Sequence, residues 1–180
     1  MKKHTLSILV ENKPGVLNRV VSLFRRRNFN IDSLTVGRTE RPEFSRMTIQ
    51  MEATFEEANK VEKNLYKLVN VVQVEHLSTT PTVTRDLALI KVSVDSSTRS
   101  EVMQLCDIFR ARVVDVAAKS LIVEITGEEE KLEGFVSLLE PLGIVEMVRT
   151  GIVALGRGEH TLSSDHYRPQ EKRRVHKTAI

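Results

Sequence analysis

A turn of small and polar residues near the start of the chain offers the groups that bind a small carboxylate. Residues 11–16 read Glu-Asn-Lys-Pro-Gly-Val and join an alternating apolar run, Leu6 to Val10, to a run with helical spacing. Pro14 fixes φ for a turn or a first helical residue, and Gly15 lets the backbone approach a bound group without a Cβ in between. The unpaired N–H groups of a helix start favour a carboxylate. The turn therefore suggests ligand binding, although the same strand, turn and helix also occur in proteins that bind nothing there.

Catalytic groups are not assembled in any motif of the sequence. No nucleophile, base and orienting group occur together, and neither a Walker-type loop nor a dinucleotide fingerprint is present. The five histidines lie in predicted strands or in the C-terminal tail, and their spacing matches no metal site. The glycine-bearing stretch 151–158 follows the last predicted strand with no helix after it, so we expect a flexible exit rather than a phosphate site. The chain is therefore predicted to have no catalytic site, metal or cofactor of its own.

The composition is that of an ordinary globular protein. Of 180 residues, 41% are apolar and 28% charged, and the length suffices for two small domains. No apolar run is long enough to span a membrane and no secretory signal is present, so a cytoplasmic location is expected. The net charge of +3 is concentrated in the C-terminal tail and does not indicate a nucleic-acid partner. Cys106, the only cysteine, has helical spacing with apolar neighbours and is predicted to be a small core residue.

The apolar pattern of the first half repeats in the second half. In the first half, the pattern predicts strands at 6–10, 31–36, 46–53 and 69–77, with helices at 16–28 and 58–68. In the second half, it predicts strands at 87–94, 113–117, 121–126 and 144–155, with helices at 102–109 and 132–139. Both halves therefore have the order βαββαβ.

Each half is predicted to be a four-stranded antiparallel sheet with two helices on one face. The predicted fold class is α+β, with two ferredoxin-like βαββαβ domains in tandem. We place the first domain at residues 1–79, a short extended linker around Pro81 at 80–85, the second domain at 86–160, and a polar tail, expected to be mobile, at 161–180. The third strand is predicted to have one core face and one solvated face. Because the open face and the edge strands need cover, we expect a homodimer.

Three segments of the first half resemble a known family when they are taken together. Residues 9–17, 28–36 and 45–49 closely resemble the ACT-domain half of the regulatory (small) subunit of acetohydroxyacid synthase, also called acetolactate synthase. The second half, with Phe109-Arg110 and the stretch 151–158, is similar to the C-terminal domain of that family, whereas the tail from Thr161 departs from it. The resemblance implies that the first half is an ACT domain.

The resemblance also implies a function in branched-chain amino-acid biosynthesis. In that family a separate catalytic large subunit binds thiamine diphosphate, magnesium and FAD, and condenses pyruvate with a second 2-keto acid. The small subunit activates the catalytic subunit and confers feedback inhibition by valine, sometimes by isoleucine or leucine. The implied partners of this chain are a second copy of itself, the catalytic subunit and the effector.

The family's effector lies between two ACT domains of a dimer, and its contacts can be matched to this sequence. The first turn of one copy contributes Asn12, Gly15, Val16 and Leu17, and the facing copy contributes Asn30 and Ile31. The residue types suit an amino acid, because helix-start N–H groups bind its carboxylate, asparagine amides both donate and accept, and aliphatic side chains wall its side chain. Other interpretations stay open: Asn12 could stabilise the turn, Asn30 could occupy a left-handed position, and Leu17 could belong to the core.

Two other functions are compatible with a ferredoxin-like fold. An RNA-binding module would need aromatic residues on the open sheet face, but aromatic content is only 4% and tryptophan is absent. A free-standing ACT sensor would control some other enzyme or regulator, and co-purification with a large thiamine-diphosphate enzyme distinguishes it from the first hypothesis. The second half has no copy of the turn, so we assign it no amino-acid site; contact with the catalytic subunit, a role in the oligomer and a second ligand all remain open.

Overall fold

The computed structural model describes residues 1–162, which form two antiparallel sheets with two helices packed on one face of each. The elements of the first half are β1 (Lys2–Glu11), α1 (Val16–Arg26), β2 (Ser33–Arg38), β3 (Phe44–Ala53), α2 (Phe55–Leu65) and β4 (Val71–His76). Those of the second half are β5 (Thr82–Ser93), α3 (Arg99–Phe109), β6 (Arg112–Val116), β7 (Ser120–Gly127), α4 (Glu129–Leu139), β8 (Ile144–Arg149) and β9 (Val153–Gly156). The α+β class and the repeated βαββαβ order are confirmed. The predicted tail lies outside the described residues, apart from residues 161 and 162.

The first sheet has the strand order β2-β3-β1-β4. Alternate residues of β1 and β3 face the helices, and the pair Leu6 and Ile49 is fully buried at the centre of the sheet. The apolar faces of the two helices, represented by Phe24 of α1 and Val61 of α2, pack against this face of the sheet and complete the core. A capping box begins α2, because the Thr54 hydroxyl accepts the Glu57 N–H while the Glu57 carboxylate accepts the Thr54 N–H. Alternation and helical spacing therefore place the first core as predicted.

The second sheet has the order β6-β7-β5-β8, with β5 at its centre. Its core combines alternate residues of β5 and β7, such as Ile90 and Val123, with Phe135 of α4 and Cys106 of α3. Burial raises the pKa of the Cys106 thiol, so the side chain stays protonated and behaves as a small apolar residue. The prediction that Cys106 is a core residue is confirmed.

The predicted linker forms an additional strand pair with a segment near the end of the predicted second domain. The first part of β5, residues 82–85, lies in the segment predicted as a linker, and it pairs antiparallel with β9 from Thr82 with Gly156 to Arg85 with Val153. The prediction of a flexible exit at 151–158 is therefore wrong. The single strand predicted at 144–155 covers β8 and most of β9, but the partner of β9 lies some 70 residues away in sequence, so only the folded chain reveals the pairing.

The outer face of the first sheet is covered by residues from the later part of the second half. Ser7 is 1% exposed and Thr48 is 4% exposed, although both point away from the helices. Two small apolar clusters cover this face: Leu77 with Ile152 and Ala154, and Leu9 with Phe44 and Leu162. The predicted solvated face of the third strand is therefore wrong, because returning segments from the second half bury most of it. The RNA-binding hypothesis, which needs that face open, loses its surface.

Two histidines form a partly buried pair between β1 and β4, and they should make stability depend on pH. Nδ1 of His4 lies 2.8 Å from Nε2 of His76, and the His76 ring also stacks on Phe55. Burial lowers the pKa of His76, and the charge of neighbouring His4 lowers it further. A histidine with a lowered pKa in the folded state binds protons more readily when the chain unfolds, so acid favours the unfolded state.

We expect the free energy of unfolding to fall as pH drops below about 6.5, the ordinary histidine pKa. Urea denaturation at several pH values between 8 and 5 measures this slope, with His76→Gln as the comparison. The variant should show a shallower fall than the wild-type chain. Equal slopes in the two proteins would mean that other groups cause the acid sensitivity.

Candidate functional site

The β1–α1 turn lies where the sequence predicts it and is built around a left-handed glycine. Gly15 is the N-cap of α1 with φ +81°, a left-handed conformation that L side chains rarely adopt, and its carbonyl accepts the first helical hydrogen bond from Arg19. The Lys13 N–H donates to the Glu11 carbonyl at 2.9 Å, and the Val16 N–H donates to the Lys13 carbonyl at 3.3 Å. A Cβ placed on Gly15 would meet no atom within 4 Å. Glycine is thus favoured here by backbone conformation, and the space above it is open.

The start of α1 presents backbone donors that the described residues leave unused. Within residues 1–162, the N–H groups of Gly15, Leu17 and Asn18 have no acceptor, and no side chain caps the helix. The first turn also carries no acidic residue. Because the helix dipole places partial positive charge at this end, the three donors can hydrogen-bond an anion such as a carboxylate.

The two apolar residues of the turn have different environments. Leu17 is 43% exposed and stands beside the open amides, so the interpretation of Leu17 as a core residue is wrong. Val16 is only 4% exposed and packs in the first core. Leu17 is therefore available as a wall for an aliphatic ligand, whereas Val16 anchors the turn to the domain.

Asn12 ties the turn to the β2–β3 hairpin. Its backbone N–H donates to the Glu43 carbonyl at 2.7 Å, and its side-chain Nδ2 donates to the Pro42 carbonyl at 3.0 Å. Asn12 therefore does stabilise the turn, as one interpretation proposed. Its amide oxygen has no donor among the described residues, so the same side chain can also accept a hydrogen bond from an ammonium group.

Asn30 and Ile31 lie just before the edge strand β2. Asn30 is exposed and donates from Nδ2 to the Asp32 carboxylate at 3.0 Å, while Ile31 is half-buried against the first core. The left-handed residue between α1 and β2 is Asn28, with φ 57°, so that interpretation of Asn30 is wrong. The strand begins at Ser33 rather than at Ile31.

The turn and the Asn30–Ile31 segment lie at opposite ends of the first sheet. Ser33 of β2 is in register with Gln50 of β3, which is in register with Thr5 of β1, whereas the turn follows Glu11 at the other end of β1. Thr5 and Glu11 are six positions apart along the strand, which corresponds to about 20 Å. One protomer therefore cannot place both segments on one small ligand, and two copies must meet if both segments contact the same molecule.

A buried polar network beneath the turn was not predicted from the sequence. The Asn70 Nδ2 donates to Oε2 of Glu11 at 2.5 Å, and Arg19 Nη1 donates to Oδ1 of Asn70 at 2.5 Å. Lys13 pairs with the same Glu11 oxygen at 2.9 Å. This network connects the last residue of β1 to α1 and to the segment before β4, and so fixes the orientation of the turn. No local pattern signals it, because Glu11 and Asn70 are 59 residues apart.

Two further properties bear on the site. In the part of the chain that the structure describes, no three His, Cys, Asp or Glu side chains are grouped so that they could hold a metal ion. None of the described helices is long and apolar enough to cross a membrane.

Each half of the chain matches a known family model. A family model described as an acetohydroxyacid synthase small subunit-like ACT domain matches residues 6–73, and a model described as the small subunit of acetolactate synthase matches residues 85–158. A probable acetolactate synthase small subunit of Archaeoglobus fulgidus is 51% identical over 156 residues, which cover 87% of this chain and 98% of the relative. The acetolactate synthase small subunit of Mycolicibacterium smegmatis is 49% identical over 155 residues, which cover 86% and 91% of the two chains.

A solved structure gives the same assignment. The crystal structure of the acetolactate synthase small subunit from Thermotoga maritima matches with a TM-score of 0.82 and 43% sequence identity, covering 89% of this chain and all of that chain. Sequence motifs, family models and the three-dimensional fold agree over nearly the whole described region. The chain therefore belongs to the family of acetolactate synthase small subunits, which are regulatory subunits.

Proposed function

We propose that this chain is a valine sensor that activates a separate catalytic subunit of acetolactate synthase and makes it sensitive to feedback inhibition. The catalytic subunit would carry thiamine diphosphate, magnesium and FAD, and would condense pyruvate with a second 2-keto acid in the cytoplasm. Our chain would contribute no catalytic group. Its task would be to bind the end product of branched-chain amino-acid synthesis and to pass that signal on.

The main support for this proposal is the set of unpaired backbone N–H groups at the start of α1. The N–H groups of Gly15, Leu17 and Asn18 are unpaired within the described chain, and they offer donors to the carboxylate of an amino acid. The exposed Leu17 supplies an apolar surface beside them. A free aliphatic amino acid matches this combination because its carboxylate and its side chain are both bonded to the same carbon atom.

The other half of the proposed site would come from a second copy of the chain. Asn30 is exposed and lies about 20 Å from the turn of its own protomer, so it is free to face the turn of a partner. In the described chain, β2 has a pairing strand on one side only. A two-fold dimer that joins first domains at this edge would place two equivalent sites at one interface.

Valine bound across the interface would fix the relative geometry of the two first domains. The catalytic subunit would then be engaged in a less active arrangement. Couplings of this kind are typically about 1 to 3 kcal/mol, which changes activity from severalfold to about a hundredfold. By reciprocity, the catalytic subunit should also change the valine affinity of this chain.

Reconstitution with the catalytic subunit from the same organism tests the proposal. We expect the purified chain to elute as a dimer, to raise the catalytic rate severalfold when added, and to make that rate fall when valine is present. Calorimetric titration of the chain alone with valine, and with serine as the comparison ligand, separates binding from inhibition. Valine binding without any effect on acetolactate synthase would support the free-standing sensor instead.

A further inference from the structure

The edge strand that follows Asn30 and Ile31 is hydrogen-bonded to the second half of the chain. The Ile152 N–H donates to the Ser33 hydroxyl at 3.1 Å. The Thr35 hydroxyl donates to the Ile152 carbonyl at 3.0 Å, with the Thr150 carbonyl 3.4 Å away. We call these five residues, Ser33, Thr35, Thr150, Gly151 and Ile152, the interdomain contact. It joins the outer face of β2 to the segment between β8 and β9.

The interdomain contact fits without spare room. Gly151 has φ +84°, and a Cβ built on it would collide with the Ser33 hydroxyl oxygen and lie 3.2 Å from that of Thr35. The backbone at Gly151 and the side chains of Ser33 and Thr35 are packed together and hydrogen-bonded, so one side cannot slide past the other without breaking hydrogen bonds or moving with it. A displacement of β2 is therefore expected to carry residues 150–152 with it.

On its other side, the contact leads to the central strand of the second sheet. The Thr150 hydroxyl donates to the Asp86 carboxylate at 3.2 Å and accepts the Leu87 N–H at 3.2 Å. Asp86 is 2% exposed and also binds Arg149. The segment beyond Ile152 continues into β9, which pairs with the first residues of β5. The interdomain contact thus connects β2 to β5 at two places. Thr150 reaches residues 86 and 87 of β5, and β9 pairs with residues 82–85.

We infer that Ser33, Thr35 and Gly151 couple the effector site to the second domain. This inference rests on the proposed valine site, because Asn30 and Ile31 lie just ahead of Ser33 in the chain. Valine held at Asn30 and Ile31 shifts the start of β2, and the interdomain contact moves residues 150–152 and the attached β5. Ser33, Thr35 and Gly151 pass the movement of β2 to the second domain and do not set the affinity for valine. This distinguishes them from the proposed binding residues of the turn.

Thr35→Val is the decisive variant, because it keeps the shape of the side chain and removes the hydroxyl. Thr48→Val is its matched control, since Thr48 lies opposite Thr35 on β3 and makes no hydrogen bond to residues 150–152. We expect the Thr35 variant to bind valine within about twofold of wild type, while maximal inhibition of the reconstituted enzyme falls severalfold. The Thr48 variant should match wild type in both measurements. Full inhibition in the Thr35 variant, or a loss of valine affinity equal to its loss of inhibition, would overturn the inference.

Gly151→Ala tests the same contact by steric means, and Gly158→Ala is its control. Both glycines have positive φ, but a Cβ on Gly158 meets no atom within 4 Å. Gly151→Ala should speed amide hydrogen exchange at residues 30–36 without any ligand, and Gly158→Ala should not. Unchanged exchange at 30–36 would overturn the coupling whatever valine does. Faster exchange together with a wild-type chain that ignores valine would uphold the coupling and refute the proposed effector.

Discussion

Gly15→Asp is expected to abolish valine inhibition while leaving activation of the catalytic subunit intact. The new carboxylate would stand beside the open N–H groups where the ligand carboxylate is proposed to bind. Two negative charges about 5 Å apart at an effective dielectric constant of about 20 repel by about 3 kcal/mol. That repulsion corresponds to a loss of affinity of more than about a hundredfold.

The variant should fold, which makes the experiment informative. No atom lies within 4 Å of the new Cβ, and the left-handed conformation costs an ordinary residue only about 1 to 2 kcal/mol, with Asp and Asn tolerated best. A negative charge at a helix N-terminus also interacts favourably with the dipole. Any loss of valine response can therefore be assigned to the site, once a dimer and an unfolding transition like those of wild type are measured.

Gly15→Asn is the matched control, because asparagine has the shape of aspartate without the charge. Calorimetric titration with valine and inhibition assays on the reconstituted enzyme should show strong loss for the Asp variant and a much smaller loss for the Asn variant. An equal loss of valine binding in both variants would mean that the size of the side chain, and not its charge, causes the effect. Full valine sensitivity in the Asp variant would place the effector site elsewhere.

Asp86→Ala is expected to lower the free energy of unfolding by about 3 kcal/mol. Asp86 is 2% exposed and accepts a hydrogen bond from Nε of Arg149 at 2.8 Å, with a second guanidinium nitrogen on the same oxygen. Removing the carboxylate leaves the guanidinium without this partner and also removes the acceptor of Thr150. Because the Arg149 side chain keeps 29% exposure, some rehydration limits the loss to the lower end of the range for buried ion pairs.

Glu146→Ala provides the comparison, because Glu146 and Lys91 also form an ion pair across β5 and β8. Their charged atoms are 3.7 Å apart, and the Glu146 side chain is 76% exposed. Exposed pairs contribute at most about 1 kcal/mol, so this variant should change the free energy of unfolding by about 0.5 kcal/mol or less. Urea denaturation of both variants measures the difference. If the two variants lost similar free energies of unfolding, the buried position of Asp86 would add nothing to the stability that its ion pair provides.

Much of the fold could be predicted because its signals are local. Alternation along β3 and helical spacing along α1 specify which residues face a core, and a one-residue slip would expose the whole apolar set. The position of the turn around Pro14 and Gly15 was predictable from residue type, whereas the left-handed φ of Gly15 was seen only in the structure. Boundaries were less exact: β2 begins two residues later than expected because Ile31 packs against the core before the strand starts.

The sequence by itself determined the two βαββαβ units, the position of the β1–α1 turn and the family, since each rests on residues close together in the chain. Tertiary structure alone decided the rest. It showed the Glu11–Asn70 bond beneath the turn, the pairing of β9 with β5, and the distance that separates the turn from Asn30. These features join residues far apart in sequence, and no local pattern encodes a contact whose two sides are each compatible with many partners. The cover of the first sheet follows the same rule, because Ile152 is an ordinary apolar residue until the folded chain brings it over β2.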